Sequence, residues 1–282
     1  MVKRGSVNTF KVLVNEVKLT VYEAGAGTPV LLLHGFTGSA RSFERVFNFL
    51  SENYRVFALD LIGHGESDAP EDWRRYSVEA AVFDIKTLLE RLGLSKIVVL
   101  GYSMGGRIAL SFACEYPSLV QALILESASP GLVNQEAREA RIKSDWALAE
   151  RIVRDGVEKF VDYWENTPLF SHHASKNPQA AAREREIRLS QRARGLAGSL
   201  KGGGTGSQRP RWDELPLLEI PTLLLTGSQD LKFENIAEEM QRHMPYAQHA
   251  RIPNAGHTIH LEAPGEFEAQ IRTFLLQQGI SS

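Results

Sequence analysis

The chain has 282 residues, 43% of them hydrophobic and 23% charged, with a formal net charge of −2 at pH 7. That is material for one large domain, or one domain with an insertion, around a sizeable core. The balanced charge gives no reason to expect nucleic acid or an anionic membrane as a partner. The single cysteine, Cys114, excludes an internal disulfide. Its place in an apolar run reads as a small buried residue rather than a reactive thiol.

Residues 1–14 carry two early positive charges but no long apolar region and no cleavage site, so they do not read as a signal peptide. No apolar run reaches the roughly 18 residues that mark a membrane span. The expectation is a soluble, cytoplasmic protein. No feature of the sequence specifies an oligomeric state.

Short apolar runs recur at residues 18–23, 30–33, 55–59, 97–100, 122–125, 222–225 and 250–252. Several are rich in Val, Ile and Leu without polar alternation, as in strands covered on both faces. Helical patterns fall between them at 39–50, 78–92, 105–116, 233–243 and 265–276. The alternation predicts an α/β fold: a mostly parallel central sheet with helices on both faces. It breaks after Gly131. From Val133 to about Arg209 the chain is charged and helix-favouring, with candidate helices at 135–150, 149–163 and 178–194. This block reads as a helical lid over the C-terminal edge of the sheet. The expected division is core at 1–132, lid at 133–210 and core again at 211–282. Residues 201–207, KGGGTGS, read as a glycine-rich linker or a mobile pocket wall. No Gly-Lys-Ser/Thr closes this loop, so it is not a phosphate loop.

The chemistry centres on residues 98–107, VVLGYSMGGR. An apolar strand enters Gly-x-Ser-x-Gly and a helix leaves it, which is the pattern of a nucleophile elbow presenting Ser103. A serine nucleophile needs a base, and the base needs an orienting acid. Asp230 closes the segment Thr226-Gly227-Ser228-Gln229-Asp230 that directly follows the apolar run at 222–225, at the rim where strands end; the competing role is an N-cap for the helix after it. His257, in Asn254-Ala255-Gly256-His257, follows the last strand onto the same rim. His260 is its rival and reads as a surface loop residue. His172 and His173 fall in the lid, and His243 and His249 near a surface turn. No His/Cys/carboxylate spacing suggests a metal, and the chemistry requires no cofactor. The oxyanion donors expected are the N–H groups of Met104, next to the nucleophile, and of Phe36, in the His34-Gly35-Phe36 loop after an early strand. His34 reads as packing beneath that loop, and Asp60 and Ser67 as supports of the glycine turn between them.

Together HGF at 34–36, D-x-x-GHGxS at 60–67, GYSMGG at 101–106, Asp230 and Gly-His at 256–257 resemble the α/β-hydrolase superfamily across nearly the whole chain. Further matches are GYSMGGR at 101–107, SPGL at 129–132, R-x-K-S-D at 141–145, GTGxQ at 204–208 with Trp212, and DLKF at 230–233. These resemble the MenH family of menaquinone biosynthesis, 2-succinyl-6-hydroxy-2,4-cyclohexadiene-1-carboxylate synthases. The resemblance implies a lyase that eliminates pyruvate from 2-succinyl-5-enolpyruvyl-6-hydroxy-3-cyclohexene-1-carboxylate with a Ser-His-Asp triad. It implies that Tyr102, Arg107 and Arg141 contact a small, carboxylate-rich substrate. It adds Trp164 as a wall and a lid arginine, Arg188 or Arg192, of which Arg188 is carried. The sequence departs from the family after GTGxQ: Arg209-Pro210-Arg211-Trp212 adds two positive residues, compatible with an anionic substrate.

The residues themselves support an anion pocket. Arg107 lies one helical turn after Ser103, on the same side, where a guanidinium can fork onto a carboxylate. The competing reading is a surface arginine paired with an acid. Surface pairing with Glu136 and Glu139 suits Arg138 better than Arg141, where Lys143 adds positive charge. The alternative function is a carboxylesterase or C–C bond hydrolase with a serine nucleophile; a catalytically dead binding module is a third.

Overall fold

The computed structural model describes residues 7–170 and 176–281. Eight strands form one sheet: β1 (Asn8–Val14), β2 (Val17–Ala24), β3 (Pro29–Leu33), β4 (Arg55–Leu59), β5 (Ile97–Tyr102), β6 (Val120–Glu126), β7 (Thr222–Gly227) and β8 (Ala247–Ile252). Their spatial order is β1-β2-β4-β3-β5-β6-β7-β8. β1 and β2 pair antiparallel, β2 joins β4 antiparallel, and every other pairing is parallel.

Alternation along the central strands builds the two cores. Leu31, Leu33 and Val99 face one side, where α2 (Val78–Leu92), α3 (Met104–Glu115) and α8 (Leu231–His243) supply Ile85, Phe112 and Met240. Val30, Leu32, Val98 and Leu100 face the other, against Phe47 and Leu50 of α1 (Glu44–Ser51) and Phe267 and Phe274 of α10 (Pro264–Gln277). Every residue of β5 is buried. That is why its sequence is continuously apolar and why it ends at the centre of the molecule.

β1 was not expected. It is an edge strand with four exposed residues and one fully buried; only its end, Val12-Leu13-Val14, is apolar, and Leu13 there is exposed.

Between β6 and β7 the described chain is helical: α4 (Gln135–Asp155), α5 (Val157–Glu165), α6 (Pro178–Leu189) and α7 (Ala193–Gly203). The predicted helix limits are corrected in two places. The break expected near 150 falls at Gly156 (φ 87°), and the single helix expected over 178–194 is two. The glycine-rich stretch is also not a simple loop, because Lys201 to Gly203 are the last turn of α7. Its glycines serve close packing: a Cβ on Gly202 would overlap the Trp73 carbonyl oxygen, and one on Gly198 would meet the Tyr76 ring 2.7 Å away. Helix α7 therefore lies directly on the turn at Trp73–Tyr76. The insertion has a core of its own, with Ile152, Phe160, Val161, Leu196 and Leu200 buried together and Phe36 and Trp164 packed against it. His172 and His173 lie outside the described residues.

Candidate active site

Strand β5 delivers Ser103 into the turn before α3. Ser103 has φ 51° and ψ −106°, a conformation that costs a non-glycine residue of the order of 1–3 kcal/mol and holds only where packing enforces it. The enforcement is visible. A Cβ on Gly105 would overlap the Leu33 carbonyl, and one on Gly101 would overlap Gly105. The loop after β3 thus lies against the first turn of α3. The Ser103 N–H donates to the Glu126 carbonyl at 2.8 Å, anchoring the turn to β6.

His257 Nε2 lies 3.0 Å from Ser103 Oγ, and its Nδ1 lies 2.6 Å from Asp230 Oδ2. A carboxylate can only accept here, so Nδ1 carries the proton and Nε2 is free to take one from the serine. His257 is 2% exposed and Asp230 9%. Asp230 fills both roles weighed for it, since its other oxygen accepts the Phe233 N–H and caps α8. Phe233 and Tyr102 flank the imidazole at 4.6 and 5.5 Å between ring centres.

The two expected oxyanion donors sit on the loop and the helix start just described. Met104 N–H is the first of α3 and has no acceptor within its own helix. Phe36 belongs to a tightly held loop. The Gly35 carbonyl accepts from Gly38 N–H at 3.1 Å and from His34 Nδ1 at 2.8 Å, and His34 Nε2 accepts the Leu61 N–H at 3.0 Å. His34 is fully buried, as packing beneath the loop requires. Asp60 accepts the Ala40 and Glu66 N–H groups and Ser67 Oγ donates to the Asp60 carbonyl, so both support the neighbouring turn.

Above the triad runs a chain of aromatic rings. Trp164 contacts Phe36 at 5.5 Å and Phe170 at 5.7 Å, and Phe170 reaches His257 at 6.2 Å. Trp164 Nε1 is buried without a partner. The Arg188 guanidinium lies 4.9 Å over Phe170 and pairs with Glu165 at 3.0 Å. Arg192 instead donates to the Gly65 and Ser67 carbonyls. Of the two competing lid arginines, Arg188 is therefore the one beside the triad's roof.

Arg107 is not the surface residue paired with an acid. Its guanidinium donates to Gln208 Oε1 at 2.8 Å and to the Gly203 carbonyl at 2.9 Å. Burial and the nearby Arg141 pull its pKa down to about 10, while Asp145 acts the other way. Arg141 pairs with Asp145 one turn on, at 2.8 Å, and is 40% exposed. Arg138 donates to the Gly206 carbonyl. Tyr102 is buried, its hydroxyl 2.9 Å from Thr258 Oγ1, so its ring supports the histidine from below. The two extra cations are not in the pocket. Arg209 and the buried Arg211 both pair with Glu115 and Glu214, at the far end of α3. Among the described residues no group of three or more His, Cys, Asp or Glu could hold a metal ion.

Comparison with known proteins then fixes the lineage. Residues 28–264 match the family model for the alpha/beta hydrolase fold. The chain belongs to the α/β-hydrolase fold family. Within that family it belongs to the MenH-like branch. It is 42% identical over 261 residues to a Bacillus subtilis (strain 168) protein provisionally named 2-succinyl-6-hydroxy-2,4-cyclohexadiene-1-carboxylate synthase, covering 92% of this chain and 95% of that one. The structure of MenH from Staphylococcus aureus superposes with a TM-score of 0.88 at 33% identity, covering 93% and 98%. A thermophilic esterase from Thermogutta terrifontis, solved with malate bound, superposes with a TM-score of 0.83 at 31% identity, covering 96% and 99%.

Three supporting contacts escaped the sequence reading. His260 is no surface residue: it is 2% exposed in the short helix α9 (Ile259–Glu262), and its Nδ1 lies 2.7 Å from Glu126 Oε2. Glu126 also accepts the His260 N–H at 3.0 Å, tying the histidine loop to β6. The signal was a charged residue closing the apolar run ALILE. Glu262 accepts the N–H groups of Gly256 and Thr258, one on each side of His257. Burial raises its pKa above the ordinary carboxylate value. Gln208, 1% exposed, grips Arg107 from 101 residues away, a pairing no local pattern announces.

Proposed function

We propose that this protein is a lyase of menaquinone biosynthesis that eliminates pyruvate from 2-succinyl-5-enolpyruvyl-6-hydroxy-3-cyclohexene-1-carboxylate. His257, oriented by Asp230, takes the Ser103 proton, and the serine oxygen removes a proton from the substrate ring. The C–H electrons move through the ring and break the C–O bond to the enolpyruvyl group, which leaves as the enolate of pyruvate and is then protonated. The Phe36 and Met104 N–H groups stabilise the charge that develops. Arg107 and Arg141 hold substrate carboxylates, with Arg188, Trp164 and the Tyr102 ring completing the pocket. Residues 133–210 act as its lid. A small carboxylate-rich molecule in the cytoplasm is the partner, and every role in the chemistry is filled by protein groups.

The observation that carries this reading is Arg107: a part-buried guanidinium one turn from the nucleophile, hydrogen-bonded to neutral groups and in no ion pair with an acid. An ester substrate gives no reason to maintain that charge. The esterase reading has support of its own, in the likeness to the Thermogutta esterase. The two separate on Arg107→Ala. For pyruvate release the substitution is expected to lower kcat/KM by about 2–4 kcal/mol, as loss of a desolvated charge pair does. An unchanged kcat/KM would remove Arg107 from the substrate.

A further inference from the structure

The arginine pair beside α3 has an internal charge balance. Arg141 is matched by Asp145, which is 4% exposed, with Oδ1 on the Arg141 Nε. Asp145 Oδ2 is buried without a partner, seated where a side chain on Gly204 would stand. Arg107 has no such match; the side chain that meets it is an amide. An arginine can only donate, so it fixes the Gln208 amide with Oε1 toward the guanidinium and Nε2 on the other side, beside Gly131. That Nε2 is a buried donor with no partner.

We propose that Gln208 is a specificity-determining residue: as a neutral acceptor it positions Arg107 for a carboxylate without adding a negative charge beside it. Two arginines and one aspartate then give the subsite a net charge of +1, the complement of a single substrate carboxylate. A glutamate at 208 would fit the same space and bind Arg107 more strongly, yet it would cancel the charge. The inference rests on the reading of Arg107 as a carboxylate-binding group.

The test uses the full-length protein and its Gln208→Glu and Gln208→Met variants. Affinity for phthalate, a plain dicarboxylate, is measured by calorimetry, and Ser103 reactivity by the rate of labelling with an uncharged fluorophosphonate. Gln208→Glu is expected to weaken phthalate binding at least tenfold while labelling stays within threefold of wild type. Gln208→Met keeps the net charge and is expected to lose less than Gln208→Glu. Equal phthalate affinity in wild type and Gln208→Glu would overturn the proposal. So would a parallel fall in labelling, which would mark a structural effect, or a loss in Gln208→Met as large as in Gln208→Glu. Failure of the lyase reading shows separately, as wild-type protein that binds phthalate but releases no pyruvate.

Discussion

Ser103, His257 and Asp230 come from three strand ends, yet each was readable because each follows an apolar run in a short glycine-containing turn. The second histidine was misread for a matching reason. Its partner, Glu126, is 134 residues away, and nothing local distinguishes a buried histidine–carboxylate hydrogen bond from a loop histidine. Their roles should separate on substitution. Ser103→Ala and His257→Ala are each expected to reduce kcat by roughly three or more orders of magnitude in a folded protein, as loss of triad members does. His260→Ala leaves Glu126 buried without its partner, so its main cost is expected in stability, about 3–5 kcal/mol by urea unfolding. Near-normal turnover by His257→Ala would overturn the assignment of the base.

The central elements were legible because they are buried on both faces, and their limits agree to within a few residues. Elements whose reasons lie elsewhere in the chain were not. Strand β1 is specified by edge pairing with β2 rather than by burial on both faces. Helix α7 carries seven of its residues as Gly, Ala or Ser because it must lie on the Trp73–Tyr76 turn, and a reading by composition alone made its end a linker. The distinction is measurable. In a free helix Gly→Ala gains up to about 1 kcal/mol. Gly202→Ala instead drives a Cβ into backbone and is expected to destabilise by about 1–3 kcal/mol. Gly265, in α10 with no atom within 4 Å of its would-be Cβ, is expected to stabilise by a few tenths to about 1 kcal/mol when changed to Ala. Equal unfolding midpoints for the two variants would contradict the close-packing account.

Across the whole molecule, two buried histidines link stability to pH. Burial lowers the pKa of His34 to about 4 and of His64, whose ring lies 5.1 Å away, to about 3. In the unfolded chain both return to about 6.5. Below that value the unfolded state binds more protons, so their contribution, complete above pH 6.5, is lost as pH falls toward 4 and then 3. The slope is at most about 1.4 kcal/mol per pH unit for each histidine. Asp60, Asp145 and Glu262, raised by burial, act in the opposite direction. A variant comparison isolates the histidine. His34→Gln keeps a donor for Gly35 and an acceptor for Leu61, and is expected to lose less stability than wild type between pH 7 and 5. An identical loss in both proteins would contradict the assignment.

The same molecule brings a histidine–aspartate pair, a helical insertion and a part-buried arginine in no ion pair together around one serine. That combination is the basis for reading it as a lyase rather than an esterase, since positioning a carboxylate beside the proton to be removed is a large part of any rate gain. The most direct measurement is pyruvate release from 2-succinyl-5-enolpyruvyl-6-hydroxy-3-cyclohexene-1-carboxylate in a coupled assay, run beside a panel of short-chain nitrophenyl esters. The account predicts a kcat/KM for pyruvate release far above that for any ester. Efficient ester turnover with no pyruvate above background would contradict it.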